Sequence, residues 1–423
     1  MADCHSGRVK ENNKKMNTFY QAALEIADKK LFRDEKPTHL ASPRLGTGGG
    51  FMDIFLWDTA FSSMWARYHV DRFPVAASLD NFYRCQTPEG FISRQIRPDG
   101  VSKWSPDSVT GFAPPLLAWA ELELAPYVPG RLEKVFEPLL RQHKFNFARF
   151  RREDGLFFAD GWGCGMDNLP RWDDRSEVIP DGGIPFQRNA ITDSTKTGDK
   201  LFEWLNAQTE VPFYWNKQLG WCDTTCEMAF NALNLAEIAR RIGRTAEEAE
   251  LTAQHAELAE LVNALCFNET TNFYSDHLNG RVLNRRTICG FWPLLSQVAT
   301  PERAAKIIDT LQDPKAFGCP CGIPTLAADD PEFQPEGGYA LGPAWAHTNY
   351  MVLKGMQKYG YDAFARKVAF RLYTAAKKLW EKTGTIWENY SPVQCDQQVS
   401  RAYPDFCGWS ALIPITFYRE FIC

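Results

Sequence analysis

Apolar residues recur at helical spacing along most of this chain. After the capping box Thr245-Ala-Glu-Glu248, for example, Leu251 and Leu258 fall on one stripe, as in a helix with a single buried face. Thr300 followed by Pro301 indicates the start of another helix. The same reasoning predicts helices over about 11–30, 57–70, 112–125, 131–150, 222–242, 245–265, 300–311, 342–360, 362–383 and 407–419.

These helices follow one another with few stretches of the alternating pattern typical of strands. Gly90-Phe-Ile-Ser93 is a candidate for a short β segment. The pattern therefore predicts a mostly α protein of about twelve helices arranged in antiparallel pairs. Because no low-complexity linker or shift in composition divides the chain, residues 1–423 are interpreted as one domain, with 1–35 as an N-terminal helix or extension.

Residues 151–221 break the helical pattern, since they are rich in Gly, Pro, Trp and Asp. A loop of this length in a compact protein is usually functional or disordered. Aromatic residues favour burial or ligand contact over disorder, and this segment has many: Trp162, Trp172, Phe186, Phe213, Tyr214, Trp215 and Trp221. We interpret the segment as an active-site wall, and its closure over substrate as a lid is a hypothesis.

Composition limits the kinds of partner. The net charge is −5 with both signs interleaved, so the chain lacks the basic stripe of a nucleic-acid-binding surface. The first thirty residues have no apolar core of a secretory signal and no stretch is long enough to cross a membrane, so a cytoplasmic protein is expected. The twelve cysteines are scattered, which favours reduced thiols over a metal site or a disulfide framework.

Gly161-Trp-Gly-Cys-Gly-Met-Asp167-Asn168-Leu-Pro-Arg171 is the most informative segment. Its glycines let backbone approach a ligand closely, and Asp167 is not needed as a helix cap. A general acid needs a raised pKa, which burial beside aromatic rings supplies. Arg171 could bind substrate or pair with Asp173 or Asp174, and a plain turn aspartate is the alternative for Asp167.

A second carboxylate stands late in the chain, in Ile386-Trp387-Glu388-Asn389-Tyr390. Two aromatic side chains and an amide flank Glu388, an environment suited to orienting a water molecule. A surface glutamate is the alternative. Near the start of the chain, Trp57 and Asp58 could stack on a sugar and accept its hydroxyl hydrogen bonds, or serve as a core residue and a helix N-terminal charge.

These motifs together resemble glycoside hydrolase family 63, with family 37 trehalases as more distant relatives. The resemblance lies in five motifs and their order: WDTAF at 57–61, GMDNLPR at 165–171, GPAW at 342–345, WENYSP at 387–392 and CGWSALIP at 407–414. It implies an all-α (α/α)6 toroid and inverting hydrolysis of an α-glycoside. By this resemblance Asp167 is the general acid and Glu388 the general base. The residues it implies for substrate binding are Trp57, Asp58, Phe61, Asn168, Arg171, Trp345, Trp387, Tyr390 and Trp409.

The chain has no room for the extra β-sandwich domain of the large processing glucosidases in this family. It is closer in size to single-domain members that act on mannosylglycerate and glucosylglycerate. Such a substrate carries a carboxylate, so a polar or basic group should face the leaving group. Arg94 and Gln86 are the candidates, with a surface arginine as the alternative for Arg94. The expected partner is a small carbohydrate, with no metal or organic cofactor.

Two other classes of function stay open at this point. A sugar isomerase or epimerase, or a phosphorylase, could use the same toroid, and such an isomerase would rely on histidines. Of the seven histidines only His347 falls near a motif, two residues after Trp345. A non-catalytic carbohydrate-binding protein is the other alternative. Product analysis separates them, because an isomerase releases no aglycone and a phosphorylase needs phosphate.

Overall fold

The computed structural model describes residues 7–36, 38–108, 111–173, 219–400 and 402–423, with side chains from residue 18 onwards. Within these ranges helices are the main secondary structure, joined by long loops and a few short strands. In chain order they are α1 (Gly7–Lys29), α2 (Leu56–Ala66), α3 (Val75–Arg84), α4 (Leu117–Leu124), α5 (Arg131–Arg149), α6 (Cys222–Arg241), α7 (Thr245–Leu265), α8 (Trp292–Leu295), α9 (Pro301–Asp309), α10 (Ala346–Lys358), α11 (Asp362–Thr383) and a C-terminal π-helix (Ile413–Ile422).

Burial divides the helices into two alternating sets. Every residue of α2 is buried, and nearly every residue of α6 and α10. In contrast α7 buries only Leu251, Leu258 and Val262, and α11 buries a single stripe. A helix that is apolar on all sides belongs in an interior, whereas a one-sided helix covers it.

The helices that are wholly or mostly buried form a closed ring. Helix α2 packs on α4, α4 on α6, α6 on α8 and α8 on α10; α10 then packs on the turn Trp409–Leu412, which returns to α2. The one-sided helices lie between them along the chain and form an outer layer. This arrangement is the (α/α)6 toroid that the motif order predicted, and that prediction is confirmed.

The strands are two-residue pieces that lie in the segments between helices. Strand β1 (Ile54–Phe55) pairs antiparallel with β2 (Gln95–Ile96), and β4 (Phe267–Asn268) with β5 (Phe273–Tyr274). A three-stranded sheet has the order β3 (Leu219–Gly220), β6 (His277–Leu278), β7 (Arg281–Val282). The expected β segment at 90–93 therefore lies just before the true strand.

Several predicted helix ends shift for identifiable reasons. The capping box at Thr245 is wrong, because Arg244 is the N-cap residue and makes no side-chain cap. The helix expected from Gly342 begins at Ala346, because Ala344 instead pairs with Tyr390 through two backbone hydrogen bonds of 2.8 and 2.9 Å. Thr300 does cap α9, its side chain accepting from the backbone N of Arg303.

The cysteines correct a second expectation. Cys321 and Cys395, 74 residues apart, form a disulfide, so the prediction of reduced thiols is wrong for this pair. The backbone N of Cys321 also donates to the carbonyl of Pro392 at 2.8 Å, which brings the two loops together. None of the described helices is long and apolar enough to cross a membrane.

Candidate active site

The candidate site lies at one end of the inner ring, where α2 and α10 begin and loops arrive from three other parts of the chain. Strand β1 leads directly into α2, and the backbone N of Leu56 donates to the carbonyl of Arg94 at 2.9 Å. Asp58 therefore stands in the first turn of α2, buried, with Trp57 beside it. The loop carrying Asp167 and the loop carrying Glu388 close over this helix start.

The Asp167 loop is folded by another carboxylate. Asp160, fully buried, accepts hydrogen bonds through Oδ1 from the backbone N atoms of Trp162 (3.1 Å) and Gly163 (3.0 Å). A carboxylate that bonds its own backbone in this way fixes a tight turn. Gly161 lets the turn pack, since a Cβ at this residue would lie 2.7 Å from the carbonyl oxygen of Asp167.

Asp167 is half-buried and has an altered acidity. Burial raises its pKa to about 7; the nearby carboxylates of Asp160 and Glu388 act in the same direction, while Arg94 and a hydrogen bond from Tyr339 oppose them. A carboxyl group with this pKa is protonated in a substantial fraction at neutral pH. Asp167 thus has the protonation behaviour that a general acid requires.

Hydrogen bonds to the backbone and to the carboxylate of Glu388 hold this residue in place. Its carbonyl accepts hydrogen bonds from Trp409 Nε1 and Ser410 Oγ, both at 3.1 Å. Its backbone N donates to the carbonyl of Tyr403 at 2.9 Å, and the backbone N of Tyr403 donates back to the Glu388 carboxylate at 3.3 Å. With 1% of its surface exposed, Glu388 is a fixed carboxylate inside the protein, so its alternative as a surface glutamate is excluded.

Asp58 joins the two loop carboxylates in one electrostatic group. Burial raises the pKa of Asp58 well above its ordinary value, and the charges of Asp167 and Glu388 raise it further. Three carboxyl groups, from residues 58, 167 and 388, therefore influence one another across a single pocket. Because like charges so close resist joint ionisation, the group favours a mixture of protonated and ionised carboxyls.

Aromatic rings surround these carboxyls. The Trp57 ring centroid lies 5.0 Å from that of Phe61, and Trp345 lies 5.7 Å from Trp409. Trp387 is fixed by a hydrogen bond from its Nε1 to Thr383 Oγ1, and its backbone N donates to the Tyr390 hydroxyl at 3.2 Å. Flat apolar walls combined with carboxylates are what a pocket for a sugar requires.

Arg94 lies on the acid side of the pocket. Its Nη1 forms a 2.6 Å ion pair with Asp160 and its guanidinium stacks 3.8 Å from the Trp104 ring centroid. Its Nη2 is buried and has no hydrogen-bond partner among the described residues. Since the charge of Arg94 also acts on Asp167, this side chain is a cation with one free donor next to the acid.

Two residues of the Asp167 motif bond to protein. The Asn168 side chain donates to the carbonyl of Gly338 (3.0 Å) and accepts from the backbone N of Ala340 (2.9 Å). Both terminal nitrogens of Arg171 bond Asp223, and Nη1 also bonds Asp276 at 3.0 Å. These partners differ from the Asp173 and Asp174 considered from the sequence, and they make both side chains supports of the loop.

Gln86 is not brought to this pocket. Its amide Nε2 donates to the carbonyls of Gly90 (3.1 Å) and Pro138 (2.8 Å), and its Oε1 accepts from Arg141 at 2.7 Å. The side chain therefore fastens a turn to α5. Residues 174–218, most of the predicted active-site wall and lid with Phe186, Phe213, Tyr214 and Trp215, lie outside the described residues.

Several buried polar residues near the site were missed from the sequence. Asp160, Asp223 and Asp276 escaped because their partners are distant in the chain. Glu227 is fully buried in α6 with neither carboxyl oxygen bonded to a described residue, and burial raises its pKa well above the ordinary range. For His347 the sequence did contain an indication of a role in the site, because this residue follows Trp345 by two positions. Within the described residues no His, Cys, Asp and Glu cluster is suited to a metal ion.

Comparison with known proteins gives a consistent result. The sequence pattern of the mannosylglycerate hydrolase MGH1-like glycoside hydrolase domain matches residues 53–404. Mannosylglycerate hydrolase MGH1 of Selaginella moellendorffii is 27% identical over 80% of this chain and 75% of its own length. A protein of Borreliella burgdorferi is 24% identical over 79% of this chain, which spans 62% of that relative's length.

A solved structure has the same fold. It is a family 63 mannosylglycerate hydrolase from Thermus thermophilus in complex with glucose, which superposes with a TM-score of 0.71 at 20% identity, covering 95% of this chain and 99% of that one. Another crystal of that enzyme contains Tris and D-glycerate.

Proposed function

Because the chain belongs to the mannosylglycerate hydrolase MGH1-like glycoside hydrolases of family 63, we propose that it hydrolyses a small α-linked glycoside of glycerate with inversion at the anomeric carbon. Asp167 is the general acid and Glu388 the general base. The cleaved sugar is a hexose, glucose or mannose. No metal ion or organic cofactor enters the reaction.

The observation that carries the proposal is that Asp167, a carboxyl group with a raised pKa, shares one pocket with Glu388, a second carboxyl group held in place by backbone hydrogen bonds. The pKa of Asp167 is raised to about 7 by burial and by neighbouring charge, including that of Glu388. Glu388 is fixed by backbone hydrogen bonds on both sides of its peptide unit. A carboxyl group whose environment keeps it partly protonated near neutral pH, beside a second carboxyl group in a different environment, is the usual arrangement for acid and base.

The reaction is one displacement. Glu388 removes a proton from a water molecule, whose oxygen forms a bond to the anomeric carbon as the bond from that carbon to the glycosidic oxygen breaks. Asp167 gives its proton to the departing oxygen. An α-glycoside thus yields the β-sugar and an alcohol, and the two carboxyl groups should stand about 6.5–9.5 Å apart to admit the water.

Arg94 supports an anionic leaving group. It lies on the Asp167 side, where the departing alcohol must be, and its Nη2 donor is not used by the described protein. A carboxylate in that position would gain a charge-assisted hydrogen bond from a guanidinium already oriented by Asp160 and Trp104,. Glycerate is such an alcohol, and a crystal of the T. thermophilus relative contains D-glycerate together with Tris.

The proposal is tested with a panel of mannosylglycerate, glucosylglycerate and trehalose, incubated with the wild type, Asp167→Asn and Glu388→Gln. We expect release of glycerate from one of the first two compounds, reduced about 10²–10⁴-fold in each variant. Glu260→Gln, on the exposed face of α7, is the control and should retain full activity. Turnover that survives both site substitutions, sugar interconversion without release of aglycone, or a requirement for phosphate would overturn the proposal.

A further inference from the structure

His347, the second residue of α10, is enclosed by four aromatic rings. The ring centroids of Trp409, Phe61, Trp57 and Trp345 lie 4.6, 5.3, 5.5 and 5.7 Å from that of the imidazole. Three of these rings are the tryptophans that wall the candidate site. The imidazole is therefore part of the pocket wall, although the catalytic scheme above gives it no role.

The polar atoms of this ring are not used by the protein. Neither Nδ1 nor Nε2 of His347 has a hydrogen-bond partner among the described residues. His143 provides the contrast: it is equally buried, yet its Nδ1 accepts from Asn231 at 3.0 Å and its Nε2 donates to Gln254 at 2.9 Å. Buried polar groups are nearly always paired, so His143 behaves as a structural histidine and His347 does not.

Low exposure does not remove His347 from the site. It is 1% exposed, the same fraction as Glu388, which is assigned to the same pocket. Trp57 precedes Asp58 directly, and Trp409 holds the carbonyl of Glu388. Through its contacts with these two tryptophan rings, the imidazole lies next to the segments that hold Asp58 and Glu388.

We propose that His347 forms a hydrogen bond with a ring hydroxyl of the sugar that is cleaved off, and that this contact helps to set which epimeric hexose is accepted. The inference rests on the proposed function, since it assigns a residue to the sugar pocket of that reaction. A neutral imidazole offers one donor and one acceptor, which matches a hydroxyl group. Burial lowers the pKa of His347 to about 3, so the ring is neutral at physiological pH.

The chemistry distinguishes His347 from its neighbours. Tryptophan faces bind the apolar side of any hexose, and they discriminate weakly between sugars that differ in one hydroxyl direction. A fixed donor–acceptor group does distinguish such sugars, because a hexose without a hydroxyl in the matching direction leaves this buried polar group unpaired. His347 supplies such a group from a helix, where its position is rigid.

The test pairs His347→Phe with deoxy sugars. Phenylalanine keeps the ring packing and loses both nitrogens. We expect that the wild type loses about tenfold in kcat/KM on one monodeoxy analogue of the preferred glycoside, the value of one ordinary hydrogen bond. On the parent glycoside, the kcat/KM of His347→Phe should be lower than that of the wild type by the same factor. Removing that hydroxyl from the substrate should then cause no further loss of kcat/KM in His347→Phe. Removing any other hydroxyl should lower kcat/KM by the same factor in both proteins.

Binding measurements separate this inference from the hydrolase proposal. In calorimetric titrations with glucose, mannose and their monodeoxy forms, removing that one hydroxyl should weaken binding to the wild type but not to His347→Phe. This result is expected even if no glycoside is turned over. His39→Phe, at an exposed histidine, is the matched control, and His347→Leu, which also lacks a donor and an acceptor, serves if the Phe variant does not fold. Deoxy penalties that are unchanged for every position in a folded His347 variant, in catalysis and in binding, would overturn the inference.

Discussion

Gly165 lies directly against the indole of Trp57: a Cβ on residue 165 would come within 2.8 Å of Trp57 Cε2. The backbone of Gly165 has a φ of +72°, which glycine adopts without the strain that other residues incur. The Asp167 loop can therefore approach the tryptophan at the start of α2 only because residue 165 has no side chain. This contact sets the position of the acid relative to the pocket wall.

Gly165→Ala should accordingly damage catalysis. The added methyl group must push the loop or the Trp57 ring, and a displacement of about 1 Å at such a site can cost about 10²-fold in rate. Gly243→Ala is the matched control, because Gly243 has a φ of +76° but no atom within 4 Å of the added Cβ. Both variants should lose about 1–2 kcal/mol of stability from backbone strain, while only Gly165→Ala loses kcat/KM. Equal activity in the two would contradict this account of the loop.

The pKa of Asp167 leads to a pH prediction. Because burial raises it to about 7, the acid is protonated below pH 7 and ionised above it. With respect to this acid, activity is retained below pH 7 and is lost as pH rises through 7, with log(kcat/KM) falling by about one unit per pH unit beyond that point, provided that Glu388, the base, is ionised. A pH–rate profile checks this, alongside circular dichroism to establish that the fold persists. A rate that stays constant to about pH 9 would show that Asp167 does not act as the acid.

Arg94→Lys tests the leaving-group side. Lysine keeps the positive charge opposite Asp160 and loses the planar fork with its second donor. We expect kcat/KM on a glycerate glycoside to fall about 10- to 100-fold, the worth of a hydrogen bond to a charged group, and kcat/KM on a neutral disaccharide to change little. Arg97→Lys, at a half-exposed arginine three residues away, is the control. Equal losses on charged and neutral substrates would instead assign Arg94 a structural role.

The disulfide stabilises the loop that follows Glu388. Replacing both Cys321 and Cys395 by serine should lower the free energy of unfolding by about 2–4 kcal/mol, the usual value for a crosslink that closes a long loop. A reductant should have the same effect on the wild type and none on the double variant. Cys423→Ser, at an exposed free cysteine, is the comparison. Unfolding curves in urea decide the matter, and identical midpoints for the wild type and the double variant would contradict it.

The sequence alone predicted the features that local patterns encode. Helical periodicity located α5, α6, α7 and α11 to within a residue or two, because each is a continuous amphipathic or buried run. Motif order predicted the toroid, and it singled out Asp58, Asp167 and Glu388, which the fold brings into one electrostatic group.

Hydrogen bonds between residues that are far apart in the sequence could not be predicted from these local patterns. Arg171 bonds Asp223 and Asp276, which are 52 and 105 residues away, although Asp173 is nearer in sequence. Gln86 was predicted to bind substrate, yet its side chain forms hydrogen bonds that connect the turn at Gly90 to α5. Such choices depend on which surfaces the folded helices bring together, and a residue's immediate neighbours carry no information about that.

Inversion by Asp167 and Glu388 is measured most directly by proton NMR of the sugar first released from an α-glycoside of glycerate. Inversion predicts that the β-anomer appears first and then equilibrates by mutarotation. The rate at which the β-anomer is released should fall together with turnover in Asp167→Asn and Glu388→Gln. Initial release of the α-anomer would contradict inversion, because that outcome requires a covalent glycosyl intermediate.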